Sequence, residues 1–142
     1  MLEAHGAVVI NAPTSEVFDY LADARNEPEW LPGASNVQLR GDEPLGVGST
    51  FAGTYARAGN VQITLSRYER PNAVTFHGEA KGMSFDDEVE LTDVGGATKL
   101  VAVMRTQPKG VFRLMAPMMG RVISGQFQAN WDRLREKLES RQ

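Results

Sequence analysis

The last third of the chain, Gly110 to Gln142, reads as one long amphipathic helix that follows a region cut into short strands. From Phe127 onward the apolar residues fall at Phe127, Trp131, Leu134 and Leu138, the spacing that puts one stripe on one helix face. Such a stripe has to be buried, and a sheet is the natural partner. Extended backwards with the same period, it passes through Ile123, Gly120 and Ala116, with Ser124 at its edge. The inward face therefore becomes small where the helix is expected to lie across the sheet. Close-packed interiors do not normally leave such space unfilled. The pattern predicts a helix closing over a pocket, which points to ligand binding without identifying the ligand.

The rest of the chain supplies the sheet. Ala4 to Ile10 is an apolar run expected to form a strand with both faces covered. Asn11-Ala12-Pro13-Thr14-Ser15-Glu16 reads as a helix start, with Val17, Phe18 and Leu21 on its inner face. Asp23 can cap a second short helix that must yield around Pro28 and stop by Pro32-Gly33. From Asn36 to Gln107 turn signals recur at Gly41 to Gly48, Ala58-Gly59-Asn60, Arg70-Pro71-Asn72, Lys81-Gly82 and Gly95-Gly96. Strands with period-two alternation lie between them, as in an antiparallel meander. The expectation is a single α+β domain over residues 1–142: a curved antiparallel sheet of about seven strands around a long C-terminal helix, with two short helices after the first strand. Pro117 interrupts the terminal segment, so two helical pieces are expected to meet there.

Composition narrows the function classes. With 142 residues, 42% hydrophobic and 23% charged, the chain has the make-up of an ordinary soluble domain. A net charge of −3 argues against broad binding to nucleic acid or anionic membranes, which needs basic surface. There is no cysteine, which removes disulfides, thiolate metal sites and cysteine nucleophiles. His5 and His77 lie far apart and form no metal-ligand spacing. No apolar run approaches the ~20 residues of a membrane span, and Met1-Leu2-Glu3-Ala4-His5 does not read as a signal peptide, so a cytoplasmic location is the expectation. There is no phosphate-binding glycine loop, serine elbow or pair of histidines on a helix. No cofactor and no metal are therefore expected.

Several motifs occur in an order that resembles a known family. Val9-Ile10-Asn11-Ala12-Pro13 through Val17-Phe18-Asp19-Tyr20-Leu21-Ala22-Asp23 is similar to the opening strand and first helix of the START-like superfamily of helix-grip proteins. Within it, the polyketide cyclase/dehydrase branch is the one resembled. Pro28-Glu29-Trp30-Leu31-Pro32-Gly33 matches the tryptophan-bearing end of the second helix, and Gly46-Val47-Gly48-Ser49 the glycine turn before the third strand. Tyr68-Glu69-Arg70-Pro71 resembles the turn before the fifth strand. Leu91-Thr92 with Gly96-Ala97-Thr98-Lys99-Leu100 resembles the final hairpin. The resemblance covers nearly the whole chain and implies a helix-grip fold. It carries over no catalytic motif, because members include cyclases, hydratases, lipid carriers, hormone receptors, co-chaperone-like proteins and ribosome-associated proteins.

Among the strand residues, Met83, Phe85, Val89 and Leu91 share one face and Asp87 falls in phase with them. A carboxylate on an apolar face must be protonated or partnered. It is either a general acid/base or polar ligand anchor, or an aspartate near the sheet rim or beside a bulge that resets the phase. Phe51, Gly53, Tyr55 and Arg57 share another phase; an inward Arg57 would pair with Asp87 or hold an anionic group, whereas an outward one only solubilises the sheet end. Phe76 points inward with Val74, which places His77 on the outer face with Thr75 and Glu79. Trp30 either lines the pocket mouth or packs against the long helix. Val111, Phe112, Leu114, Met115, Met118, Met119 and Val122 are apolar nearly all round, as in a pocket gate, a partner surface or a covered core. Gln126 and Asn130 flank the inner stripe.

The candidate binding set is Trp30, Tyr55, Arg57, Phe76, Phe85 and Asp87 from the sheet side, and Met115, Met119, Gly120, Ile123 and Phe127 from the helix side. The leading expectation is binding of a small, mostly apolar ligand, lipid or polyketide-like, by a monomer or homodimer. Two alternatives stand beside it. One is a cofactor-free cyclase, dehydratase or hydratase in which Asp87 moves a proton while Tyr55 or Arg57 stabilises negative charge. The other is an interaction module of the co-chaperone or ribosome-associated type, using the methionine-rich segment.

Overall fold

The computed structural model describes residues 1–142. Each turn signal between Asn36 and Gln107 separates two strands. The elements are β1 (Leu2–Ile10), α1 (Thr14–Ala22), a 3-10 turn (Ala24–Glu29), β2 (Ser35–Arg40), β3 (Thr50–Tyr55), β4 (Gly59–Glu69), β5 (Ala73–Ala80), β6 (Met83–Val94) and β7 (Ala97–Pro108). A second 3-10 turn (Gly110–Met115) then leads into α2 (Ala116–Glu139). All strand pairs are antiparallel, in the order β1-β7-β6-β5-β4-β3-β2, so the first strand closes the meander beside the last. This is the helix-grip arrangement of a curved seven-stranded sheet with a long C-terminal helix.

The connection after β1 follows from its residues. Pro13 is extended and precedes α1, whose Val17, Phe18 and Leu21 are buried. Asp23 caps the next turn, its carboxylate accepting from the Arg25 backbone N–H at 3.1 Å. Pro28 sits inside that turn, which stays 3-10 rather than α and ends at Trp30. Pro117 falls in the first turn of α2, where proline costs no hydrogen bond, so the change from 3-10 to α geometry comes at Ala116.

α2 lies along the inner face of β1. Gln128 both accepts from the Ala7 N–H at 2.9 Å and donates to the Ala7 carbonyl at 2.8 Å. At the far end the Asn11 N–H donates to Glu139. Phe127, Trp131, Leu134 and Leu138 form the buried stripe and meet Ile10, Phe18, Leu21 and Leu100 in one core. A Cβ on Gly6 would stand 2.6 Å from Trp131 Cδ1, so only glycine admits the indole against β1.

β1 corrects one expectation: only one of its faces is covered. Residues alternate strictly, and Val9 on the outer face is 52% exposed. The helix supplies a layer on one side of the sheet, and the other side faces solvent.

Candidate functional site

The concave face of the sheet, the first 3-10 turn and the C-terminal half of α2 enclose a cavity of about 180 Å³. Its walls are mainly apolar, with Leu21, Ile63, Phe76, Met83, Phe85 and Met104 among them. A larger depression of about 820 Å³, bounded by Gln38, Arg40, Thr54 and Gln62, is polar and open to solvent and encloses nothing. Three positions create the enclosed space. Gly6 lets Trp131 sink toward β1. Gly78 does the same for Phe85, its partner across the β5–β6 pair, whose ring occupies the volume of the missing side chain. Trp30, where the 3-10 turn ends, stacks on Trp131 with ring centroids 5.7 Å apart, and Phe127 meets Trp131 edge-on at 5.6 Å.

Two carboxyl groups stand in these walls. β6 runs in unbroken register past Asp87, which faces Phe76 on β5 and Met104 on β7, so no bulge resets its phase. The side chain points inward, and Oδ1 is buried without a hydrogen-bond partner. Burial pushes its carboxyl up to about 8, and the nearby Glu27 and Glu88 carboxylates add to the rise. Glu27 enters from the 3-10 turn and accepts a hydrogen bond from the Tyr55 hydroxyl. Burial raises Glu27 to about 7 against the pull of that hydrogen bond, while burial and the Glu27 charge drive the Tyr55 hydroxyl far upward. No lysine, arginine or histidine lines the cavity. The indole N–H groups of Trp30 and Trp131 are also buried without acceptors. Such groups are uncommon in a finished interior and call for a partner.

The structure brings together Trp30, Tyr55, Phe76, Phe85, Asp87 and Phe127 around this one space. Trp30 does both things the sequence left open, lining the cavity and stacking on the long helix. The other candidates lie elsewhere. Arg57 is on the β3–β4 turn with φ 71°, exposed, in an outer groove with Gln126 and Arg133. Once the strand ends at Tyr55, its phase no longer carries Arg57 inward, so it neither pairs with Asp87 nor reaches the cavity. Met115 and Met119 belong to the second 3-10 turn and the first turns of α2, and Gly120 and Ile123 border a shallow groove beside Leu2 and Glu3. None of these four lines the cavity. The reason is geometric. At 24 residues α2 spans about 36 Å, whereas the nine residues of β1 span about 30 Å. The helix overruns the sheet at Leu2, and a Cβ on Gly120 would touch only that side chain, at 3.4 Å. The cavity is correspondingly smaller than a stripe of small residues along the helix implied. Val111, Leu114 and Met118 are 73%, 87% and 61% exposed, so the methionine-rich segment is surface rather than core.

Glu27 is the wall residue that sequence reasoning missed. A glutamate between Asn26 and Pro28 in a 3-10 turn has no period that assigns it a face. The nearest signal was Tyr55, an inward hydroxyl in want of a partner. Asn130 lines the cavity as one of the flanking amides, although its carbonyl oxygen accepts from Arg133 at 2.9 Å. No three acidic or histidine side chains come together as a metal-binding group. No helix is long and apolar enough to cross a membrane.

The fold has counterparts in solved structures. The Zhui aromatase/cyclase from Streptomyces sp. R1128 superposes with a TM-score of 0.79 at 15% identity, over 98% of this chain and 94% of that one. A conserved protein from Geobacillus kaustophilus gives 0.76 at 14% identity, over 98% and 96%. The protein Ara h 8.0201 gives 0.72 at 13% identity, over 97% of both chains. At these identities the likeness establishes the fold. No curated protein matches the chain in sequence. The profile described as polyketide cyclase/dehydrase and lipid transport matches residues 1–139, and the chain therefore belongs to that family.

Proposed function

We propose that the protein binds a small, mostly apolar molecule in the cavity between sheet and helix. The observation that carries this reading is the set of buried polar atoms without partners, Asp87 Oδ1 and the two indole N–H groups, in the walls of an otherwise apolar space. Ligand sites combine apolar area with a few directional polar groups in this way. A volume of about 180 Å³ suits a body the size of a single ring, since an apolar cavity of about 150 Å³ accepts benzene. Family membership agrees with a ligand-holding role, without naming the ligand.

A second reading is favoured by one observation. Glu27 and Asp87 share the cavity with their carboxyls raised to about 7 and about 8, so near neutral pH one can hold a proton while the other accepts one. This suits a cofactor-free cyclase or dehydratase, with Asp87 as acid and Glu27, steadied by Tyr55, as base. The two carboxyls make no hydrogen bond with each other, and the binding role requires less of them.

Both tryptophans of the chain line the cavity, so ligand entry has an intrinsic reporter. Native mass spectrometry of the freshly purified protein is expected to show a co-purified small molecule. Its removal is expected to shift the tryptophan emission, and its return to restore it. A ligand-free protein whose emission no small apolar compound alters contradicts the proposal.

A further inference from the structure

The cavity is unusual in the sign of its lining. Six of the eleven aromatic residues in the chain surround it: Trp30, Tyr55, Phe76, Phe85, Phe127 and Trp131. Aromatic faces carry negative potential. The two carboxyls, Glu27 and Asp87, add to it, and no basic side chain answers them. The outer surface is different. Asp86 meets His77, Glu79 meets Lys109, Glu88 meets Arg105 and Asp19 meets Arg70. Inside, Tyr55 satisfies part of Glu27, and Asp87 Oδ1 is left buried with nothing.

An anionic ligand would add a third like charge to a desolvated site with no cation to hold it. A neutral ligand would leave both acids to be accommodated by protonation. A cation meets every feature at once, because it pairs with the carboxyls and its body lies against ring faces. We propose that the ligand is a small organic amine, bound as its ammonium ion with the nitrogen at Asp87 and Glu27 and a ring-sized apolar body among the aromatic walls. This rests on the reading of the cavity as a ligand site and specifies its charge class.

The proposal has a proton signature. The titratable groups facing the space are Glu27 from the 3-10 turn, Tyr55 from β3 and Asp87 from β6. β4, β5, β7, α1 and α2 present Ile63, Phe76, Met104, Leu21, Phe127 and Asn130, none of which ionises. At pH 7.5, with no cation present, burial holds Asp87 mostly protonated and leaves Glu27 the more ionised of the two. An ammonium ion that pairs with Asp87 at pH 7.5 therefore expels most of a proton to solvent, and a neutral ligand expels none.

Benzylamine, benzyl alcohol and benzoate share one ring and differ in charge, which makes them the probes for the intact chain at pH 7.5. Binding is followed by tryptophan emission, and proton release by calorimetry in two buffers of different ionisation enthalpy. Benzylamine is expected to bind at least about tenfold more tightly than benzyl alcohol, with about one proton released, and benzoate least tightly. Asp87→Asn is expected to weaken benzylamine about tenfold while leaving benzyl alcohol within about threefold. Glu27→Gln gives a second, independent weakening of the amine alone. If benzyl alcohol or benzoate binds as tightly as the amine, the charge assignment is overturned and the cavity remains a ligand site. If none of the three binds, both readings fall. Amine binding without proton release, unchanged in both variants, places the amine away from the carboxyls and also overturns the proposal.

Discussion

Asp86 and Asp87 are adjacent on β6 and face opposite sides of the sheet. Asp86 points outward and lies 2.8 Å from His77 Nδ1, in a pair that solvent reaches. Asp87 points inward to an apolar cavity and has an oxygen with no partner. The same side chain therefore serves two purposes, set only by strand parity. Outside, several acids are matched by bases, and the carboxyls of Asp19, Glu69 and Glu79 are held below their usual range by Arg70, Arg67 and Lys109. Inside, the acids are unmatched and burial raises them. Unmatched inner acids oppose folding once ionised, so their place in the cavity wall points to binding rather than stability.

This contrast predicts opposite pH dependence for the two faces. The outer carboxyls, lowered in the fold, contribute stability that is present above their unfolded values and lost as pH falls. Asp87 is raised, so the stability compatible with its burial is complete below its unfolded value of about 3.9 and is lost as pH rises through about 8. The largest expected effect follows: Asp87→Asn stabilises the ligand-free protein by about 2–4 kcal/mol more at pH 9 than at pH 5. Urea denaturation at the two pH values measures it, and equal effects at both would erase the distinction between faces.

The next effect concerns the packing that encloses the inner face. Gly6→Ala puts a methyl group into the Trp131 indole, which Trp30 and Phe127 hold in place. A loss of about 1–3 kcal/mol is expected, with a shift in tryptophan emission. An unchanged Tm and spectrum would mean that the indole is free to move and the cavity wall is loose. The smallest effect belongs to the outer face. Asp86→Asn should cost less than about 1 kcal/mol, because the pair is solvent-screened. It should also lower the His77 imidazole, which the hydrogen bond it donates to Asp86 raises. A ring-proton NMR titration of His77 reads that change directly.

Strand parity also explains what was legible before the structure. Regular alternation placed Phe76, Phe85 and Asp87 inward, and each turn signal marked a hairpin, because both rest on local backbone chemistry. Helical period placed Phe127, Trp131, Leu134 and Leu138 together for the same reason. The same period carried backwards still packs Ile123 partly against the core but leaves Gly120 touching only Leu2. Periodicity says which residues share a face but not whether a sheet lies beneath it, and here β1 ends at Leu2. Arg57 failed similarly, since a turn residue at φ 71° has left the strand whose parity was applied to it. Glu27 was illegible because its turn is too short for any period, and its role depends on Tyr55, 28 positions away.

The central claim is that two carboxyls without a cationic partner stand in the cavity and titrate near neutral pH rather than in the usual carboxylate range. A carboxyl-detected NMR titration of the ligand-free protein, with Asp87 assigned through the Asp87→Asn spectrum, tests it most directly. The account predicts that Asp87 titrates at about 8, coupled to Glu27 at about 7. An Asp87 midpoint near the free-aspartate value of about 3.9 would contradict it, because the carboxyl would then be solvated or paired and the cavity would lose the feature that marks it as a site.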